Sequence, residues 1–132
     1  MISIDLIREE PDVVRDAARR RGDDVPIERI LELDARRREL IAEGDELRAR
    51  RNRVSKELGQ TKEKPPATIS EMRQVGARIK ELDAEARKND GELQDLLLAV
   101  PNIPDADVPT GKDDSDNVVI RTVGELPSFD FD

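Results

Sequence analysis

Two heptad-patterned segments, separated by a short polar stretch, constrain this 132-residue chain more than any other feature. In the first, Ile30 to Thr61, one seam position is filled by Ile30, Arg37, Gly44, Arg51 and Leu58 and the other by Leu33, Leu40, Leu47, Val54 and Thr61. In the second, the same alternating steps of three and four pick out Met72, Val75, Ile79, Leu82, Ala86, Asn89, Leu93, Leu96 and Val100. Apolar residues at that spacing form a stripe along a helix, and the stripe is buried by packing against another helix. The connection Lys62-Glu63-Lys64-Pro65-Pro66-Ala67 is so brief that the two helices must fold back on each other. The expected fold is therefore all-α, a long antiparallel two-helix coiled-coil hairpin. A short N-terminal helical base precedes it and an extended C-terminal linker with a strand-like run follows it.

A turn centred near residue 65 pairs Leu58 with Met72, Val54 with Val75, Leu47 with Leu82 and Leu33 with Leu96, and sets Gly44 against Ala86. The polar seam residues Arg37, Arg51 and Asn89 give up apolar burial, a device that fixes register, while arginine stems lie along the seam with their heads in water.

Composition removes most alternatives. With 41% charged, 36% hydrophobic and 2% aromatic residues, a thin helical seam is expected in place of a large globular core. The absence of Cys and His excludes thiol nucleophiles, disulfides, imidazole bases and the usual zinc ligands. No stretch approaches the roughly 20 apolar residues of a membrane span, and the N-terminus does not read as a leader, so a cytoplasmic location is expected.

A net charge of -8 argues against a nucleic-acid partner, but its distribution argues locally the other way. From Arg48 to Lys64, seven basic residues oppose two acidic ones, whereas from Pro101 to Asp132 two oppose eight. The far end of the hairpin is thus positive on its first helix, which suits either a solvated helix face or a phosphate-binding one.

The base reads as residues 3–21: Ser3 caps a first helix, Pro11 sits in the first turn of a second, and Arg19-Arg20-Arg21 followed by Gly22 closes it. The hairpin spans 26–100, with Pro26 opening the long helix, the tip near 61–68, and Thr68 or Ser70 capping the returning helix. Residues 101–132 read as a linker and the start of a further domain left out of the chain, which the resemblance described below implies is catalytic. Val118 to Val123 is β-rich with no second strand to pair it, and Phe129 and Phe131 lack a partner surface.

At the linker the chain resembles the seryl-tRNA synthetase family. The likeness is carried by Val100-Pro101-Asn102-Ile103-Pro104, Val108-Pro109-Thr110-Gly111-Lys112-Asp113, Ser115-Asp116-Asn117-Val118, Gly124 and Phe129-Asp130-Phe131. Upstream it is carried by Glu9-Glu10-Pro11, Arg19-Arg20-Arg21-Gly22, Leu33-Asp34 and Arg51-Asn52-Arg53-Val54-Ser55-Lys56. Val123 stands where the family often has Trp, and the tip is unusually proline-rich. The resemblance implies a parent class II ligase that joins serine to tRNA(Ser) with ATP and magnesium and dimerises through its catalytic domain. It implies no catalytic residue, cofactor site or metal site in this segment. Gly111-Lys112-Asp113 is no P-loop, because Ala106 replaces the upstream glycine and Asp113 the Ser or Thr.

The resemblance also implies that the hairpin is a tRNA-binding arm lying against the long variable arm and elbow. Duplex RNA is read by shape, phosphates and 2′-hydroxyls, which suits a rigid rod bearing Arg, Lys, Asn and Gln. The candidate contacts are Arg48, Arg50, Asn52, Arg53, Lys56, Gln60, Lys62 and Lys64, with Arg73 and Arg78 from the returning helix. Arg50, Arg53 and Lys56, at steps of three, share a face, and Arg51 lines the seam. The alternative is a stand-alone coiled-coil module for protein interaction, chaperone-like in function.

Overall fold

The computed structural model describes residues 1–61, 63 and 65–125, and among these it is helical with no strand. Four α-helices run in order: α1 (Ile4–Glu9), α2 (Pro11–Arg21), α3 (Ile27–Gln60) and α4 (Pro66–Ala99). A short 3-10 turn, Asp114–Asp116, follows.

The local signals at the base act as their chemistry dictates. The Ser3 hydroxyl accepts the Leu6 N–H at 3.2 Å at the start of α1. Pro11 takes the first turn of α2, where no backbone donor is needed. Gly22 ends α2 at φ +73°, the left-handed region in which a side chain would be strained, and its N–H returns to Ala18 and Arg19.

α3 and α4 are each 34 residues long and pack antiparallel, a rod of about 50 Å at 1.5 Å per residue. The largest buried cluster lies at its base, and Leu40, Leu82, Ile79 and Val75 continue the core along the seam. Ile2 ahead of α1, Ile7 of α1 and Val14 of α2 close over Ile27, Ile30 and Leu33 of α3 and over Leu93, Leu97 and Val100 at the end of α4. Toward the tip the seam thins, and Val54, Leu58 and Met72 are only half-buried.

The returning helix begins earlier than expected. Pro66 occupies its first turn, so the prolines open α4 instead of preceding it, and neither Thr68 nor Ser70 is the cap. The turn is therefore centred near residue 63, which shifts the pairing by about one helical turn from that expected.

Four cross-helix ion pairs fix the register: Arg29–Glu92 (2.6 Å), Arg36–Glu85 (2.6 Å), Glu43–Arg78 (2.9 Å) and Arg50–Glu71. These are the g positions of the two heptad series, seven residues apart on each helix. With Arg48 reaching Asp83 across the opposite side, they bring Leu47 opposite Ile79, Val54 opposite Met72, Leu33 opposite Leu93 and Arg37 opposite Asn89. Gly44 accordingly faces Leu82 rather than Ala86. A Cβ at Gly44 would lie 2.9 Å from Arg48 Nη1, so the missing side chain makes room for that arginine on its way to Asp83.

One rung of the ladder has reversed polarity. A slip of one heptad in either direction would set Glu43 against Glu85 or Glu71, and Arg78 against Arg50 or Arg36. Exposed pairs of this kind contribute little energy each, so they act mainly by excluding wrong registers.

Among the described residues two polar side chains, Asp34 and Asn89, are buried. Asn89 donates from Nδ2 to the Leu33 carbonyl at 2.9 Å, tying α4 to α3 at the polar layer. Asp34, 2% exposed, receives Arg8 Nε at 3.0 Å, Arg8 Nη2 at 3.2 Å and Arg38 Nε at 3.2 Å. Beyond α4, Arg20 Nη2 donates to the Val108 carbonyl at 2.7 Å and holds the linker against α2. Val118, Val119, Ile120 and Val123 are exposed and belong to no strand. Phe129 and Phe131 lie outside the described residues.

Candidate nucleic-acid interface

In an antiparallel hairpin the heptad letters define two broad sides. The g and c positions of both helices share one, and the e and b positions share the other. The outermost f positions between them are mostly small, with Ala35, Ala42 and Ala49 on α3 and Ala77, Ala84 and Gly91 on α4.

The g/c side is organised as a repeated triad. Each central arginine is gripped by a glutamate three residues along its own helix and by a glutamate across the seam: Glu32–Arg29–Glu92, Glu39–Arg36–Glu85 and Glu81–Arg78–Glu43. The guanidinium pKa values of Arg29, Arg36 and Arg78 are raised, chiefly by the cross-seam glutamate hydrogen bonds. Each triad has one surplus carboxylate. The pattern changes only near the tip, where Arg53 stands at the c position beside Arg50–Glu71.

On the e/b side every acid is likewise engaged by an arginine, but only one grouping, Asp45–Arg48–Asp83, sets two acids on one arginine. Asp34 is held by Arg8 and Arg38, Asp45 and Asp83 by Arg48, and Asp90 by Arg37, whose Nε lies 2.9 Å away without hydrogen-bond alignment.

The expected contact residues divide accordingly. Arg48, Arg50 and Arg78 are engaged in ion pairs that hold the hairpin. Asn52, Arg53, Lys56, Gln60 and Arg73 are exposed, and the three cations among them have no acidic partner within 4.0 Å among the described residues. Arg50 turns toward Glu71, away from the face shared by Arg53 and Lys56. Arg51 is exposed despite its seam position. Lys62 and Lys64 lie outside the described residues. Lys80 and Arg87, exposed on α4 seven residues apart, are two further cations outside the basic stretch at the tip; their heptad step from Arg73 is the signal the sequence carries.

Among the described residues, the linker turn around Gly111-Lys112-Asp113 already uses its polar groups internally. The Lys112 N–H is taken by Asp116 Oδ2 at 2.7 Å, and Ser115 is bonded to Asp113, whose pKa is lowered by those bonds. A Cβ at Gly111 would collide with Asp116. No group of three or more His, Cys, Asp or Glu that could hold a metal ion occurs among the described residues.

The family described as the seryl-tRNA synthetase N-terminal domain matches residues 1–104. The chain belongs to the seryl-tRNA synthetase N-terminal domain family. Within it, the chain is 51% identical to a serine–tRNA ligase of Thermomicrobium roseum and 46% identical to one of Symbiobacterium thermophilum, in each case over 99% of its own length. It covers 30% and 32% of those proteins, so it spans about a third of the relatives it matches. Its fold matches a crystal structure of seryl-tRNA synthetase from Pyrococcus horikoshii complexed with ATP, with a TM-score of 0.80 and 33% identity over 94% of this chain and 29% of that one. A seryl-tRNA synthetase N-terminal domain is thus an arm on a helical base. No helix among the described residues is long and apolar enough to cross a membrane.

Proposed function

We propose that this chain is the tRNA-binding arm of a serine–tRNA ligase, which contacts the long variable arm and elbow of tRNA(Ser) so that the parent enzyme attaches serine in an ATP-dependent reaction. ATP, magnesium and the subunit contacts of a homodimer belong, in this reading, to the other two thirds of a cytoplasmic enzyme. The observation that carries the reading is a rigid hairpin of the seryl-tRNA synthetase N-terminal domain family that leaves polar and cationic side chains unpaired near its tip. Asn52, Arg53, Lys56, Gln60 and Arg73 are the described groups available there. The arm has no aromatic residue, so base stacking is not its mode of binding.

The test is titration of the chain with a transcribed tRNA that has a long variable arm and with one that lacks it. Affinity for the first should fall steeply as salt rises, because phosphate contacts release counterions, and the second should bind more weakly at every salt concentration. Absence of binding at low salt, or equal binding of the two RNAs, would refute the proposal.

A further inference from the structure

We infer that the RNA lies along the e/b side of the hairpin and that its contact runs down α4 through Arg73, Lys80 and Arg87. The inference rests on the tRNA-binding reading and decides which side of the arm is used.

Arg73, Lys80 and Arg87 occupy successive b positions of α4. All three are exposed and none has an acidic partner within 4.0 Å among the described residues; Arg87 donates only its Nε, to the Asp83 carbonyl, leaving its terminal nitrogens free. Seven residues rise about 10.5 Å, so the three charges form a straight line about 21 Å long. The four carboxylates on this side, Asp34, Asp45, Asp83 and Asp90, are each engaged by an arginine, Arg48 being shared by Asp45 and Asp83. The e and b positions of α3 and α4 set five cations, Arg38, Arg48, Arg73, Lys80 and Arg87, against these four acids, so a phosphate backbone placed there meets free cations on a side without surplus negative charge.

Away from the tip, where Arg53 and Gln60 stand, the other side repels it. Along α3 and α4 the g and c positions hold ten carboxylates against six cations, and four of those cations, Arg29, Arg36, Arg50 and Arg78, are already paired with glutamates. A duplex on that side would meet a surplus carboxylate at each triad. The two sides share one backbone scaffold and one salt environment, so their difference in charge decides the docking. Recognition by phosphate and shape, without stacking, is the mode suited to double-stranded RNA.

Adjacent residues on α4 provide the test, because Arg87 and Lys88 project to opposite sides while carrying the same charge. The chain and three variants, Arg87→Gln, Lys88→Gln and Lys80→Gln/Arg87→Gln, are titrated with a long-variable-arm tRNA from 50 to 200 mM salt. The double variant should lower the slope of log affinity against log salt by about 1.5, and Arg87→Gln by about half of that, while Lys88→Gln leaves it unchanged. Lys80→Arg should retain the wild-type slope, which separates charge from folding. An unchanged slope in the double variant, or an equal loss in Lys88→Gln, would overturn the choice of side. If the wild-type chain itself binds no RNA, the reading of the arm falls first.

Discussion

Arg8 of α1 closes on the buried carboxylate of Asp34 in α3 through two parallel contacts, Nε to Oδ2 at 3.0 Å and Nη2 to Oδ1 at 3.2 Å. The pair joins residues 26 apart in sequence and ties the base to the root of the arm. Arg8 is partly solvated while Asp34 is enclosed, so the consequences of losing each partner are unequal. Arg8→Leu leaves Asp34 with Arg38 alone and should cost about 2 kcal/mol of stability. Adding Asp34→Leu should recover more than half of that loss, since an apolar pair needs no solvation. Urea melts of the single and double variants check this, and strictly additive losses would show that the two residues are not coupled.

The reversed rung of the ladder gives a second expectation. Glu43→Gln and Arg78→Gln should each cost about 0.5 kcal/mol, and the double variant should cost less than their sum by a similar amount. The coupling should vanish near 1 M salt, where exposed charges are screened. A double-mutant cycle by chemical denaturation at two salt concentrations measures it.

Glu28, in the first turn of α3, has its pKa lowered first by a hydrogen bond with its own backbone N–H and then by Arg15, whose Nη2 lies 2.6 Å from Oε1. A depressed carboxylate adds stability that is complete above the unfolded pKa and is lost as pH falls through the folded value. Acidification from about pH 5 to about pH 3 should therefore weaken the wild-type fold more than Glu28→Gln, in which nothing titrates at that position. Thermal melts across that range give the comparison, and parallel curves would remove Glu28 from the acid response.

Much of the architecture was legible because it depends on neighbours in sequence. Ser3, Pro11, Gly22 and Pro26 mark helix ends through local backbone chemistry, and the steps of three and four mark a hairpin seam. The register differs by about one turn from that expected because Leu, Ile and Val repeat along both seams, so several alignments bury similar surface. What separates them is where Pro66 starts the return and how Glu43 meets Arg78, and both depend on the partner helix. Asp34 was noticed only as part of a motif, since an acid next to Leu33 reveals nothing of an arginine 26 residues earlier.

The candidate interface was legible in composition but not in detail. Arg48, Arg50 and Arg78 read as available cations in a linear string, and only the folded hairpin shows the acids that engage them. Lys80 and Arg87 sit amid acidic neighbours in sequence that the helix directs elsewhere, so no local charge excess drew attention to them.

The length of the arm makes its root a mechanical concern. A tilt of about 5° at the base of a rod about 50 Å long carries the far end through about 4 Å, more than the span of a hydrogen bond. The Arg8–Asp34 clamp and the apolar cluster around it therefore act as the bearing of a lever, and a substitution there, far from any nucleotide, would blur the aim of every cation along the shaft.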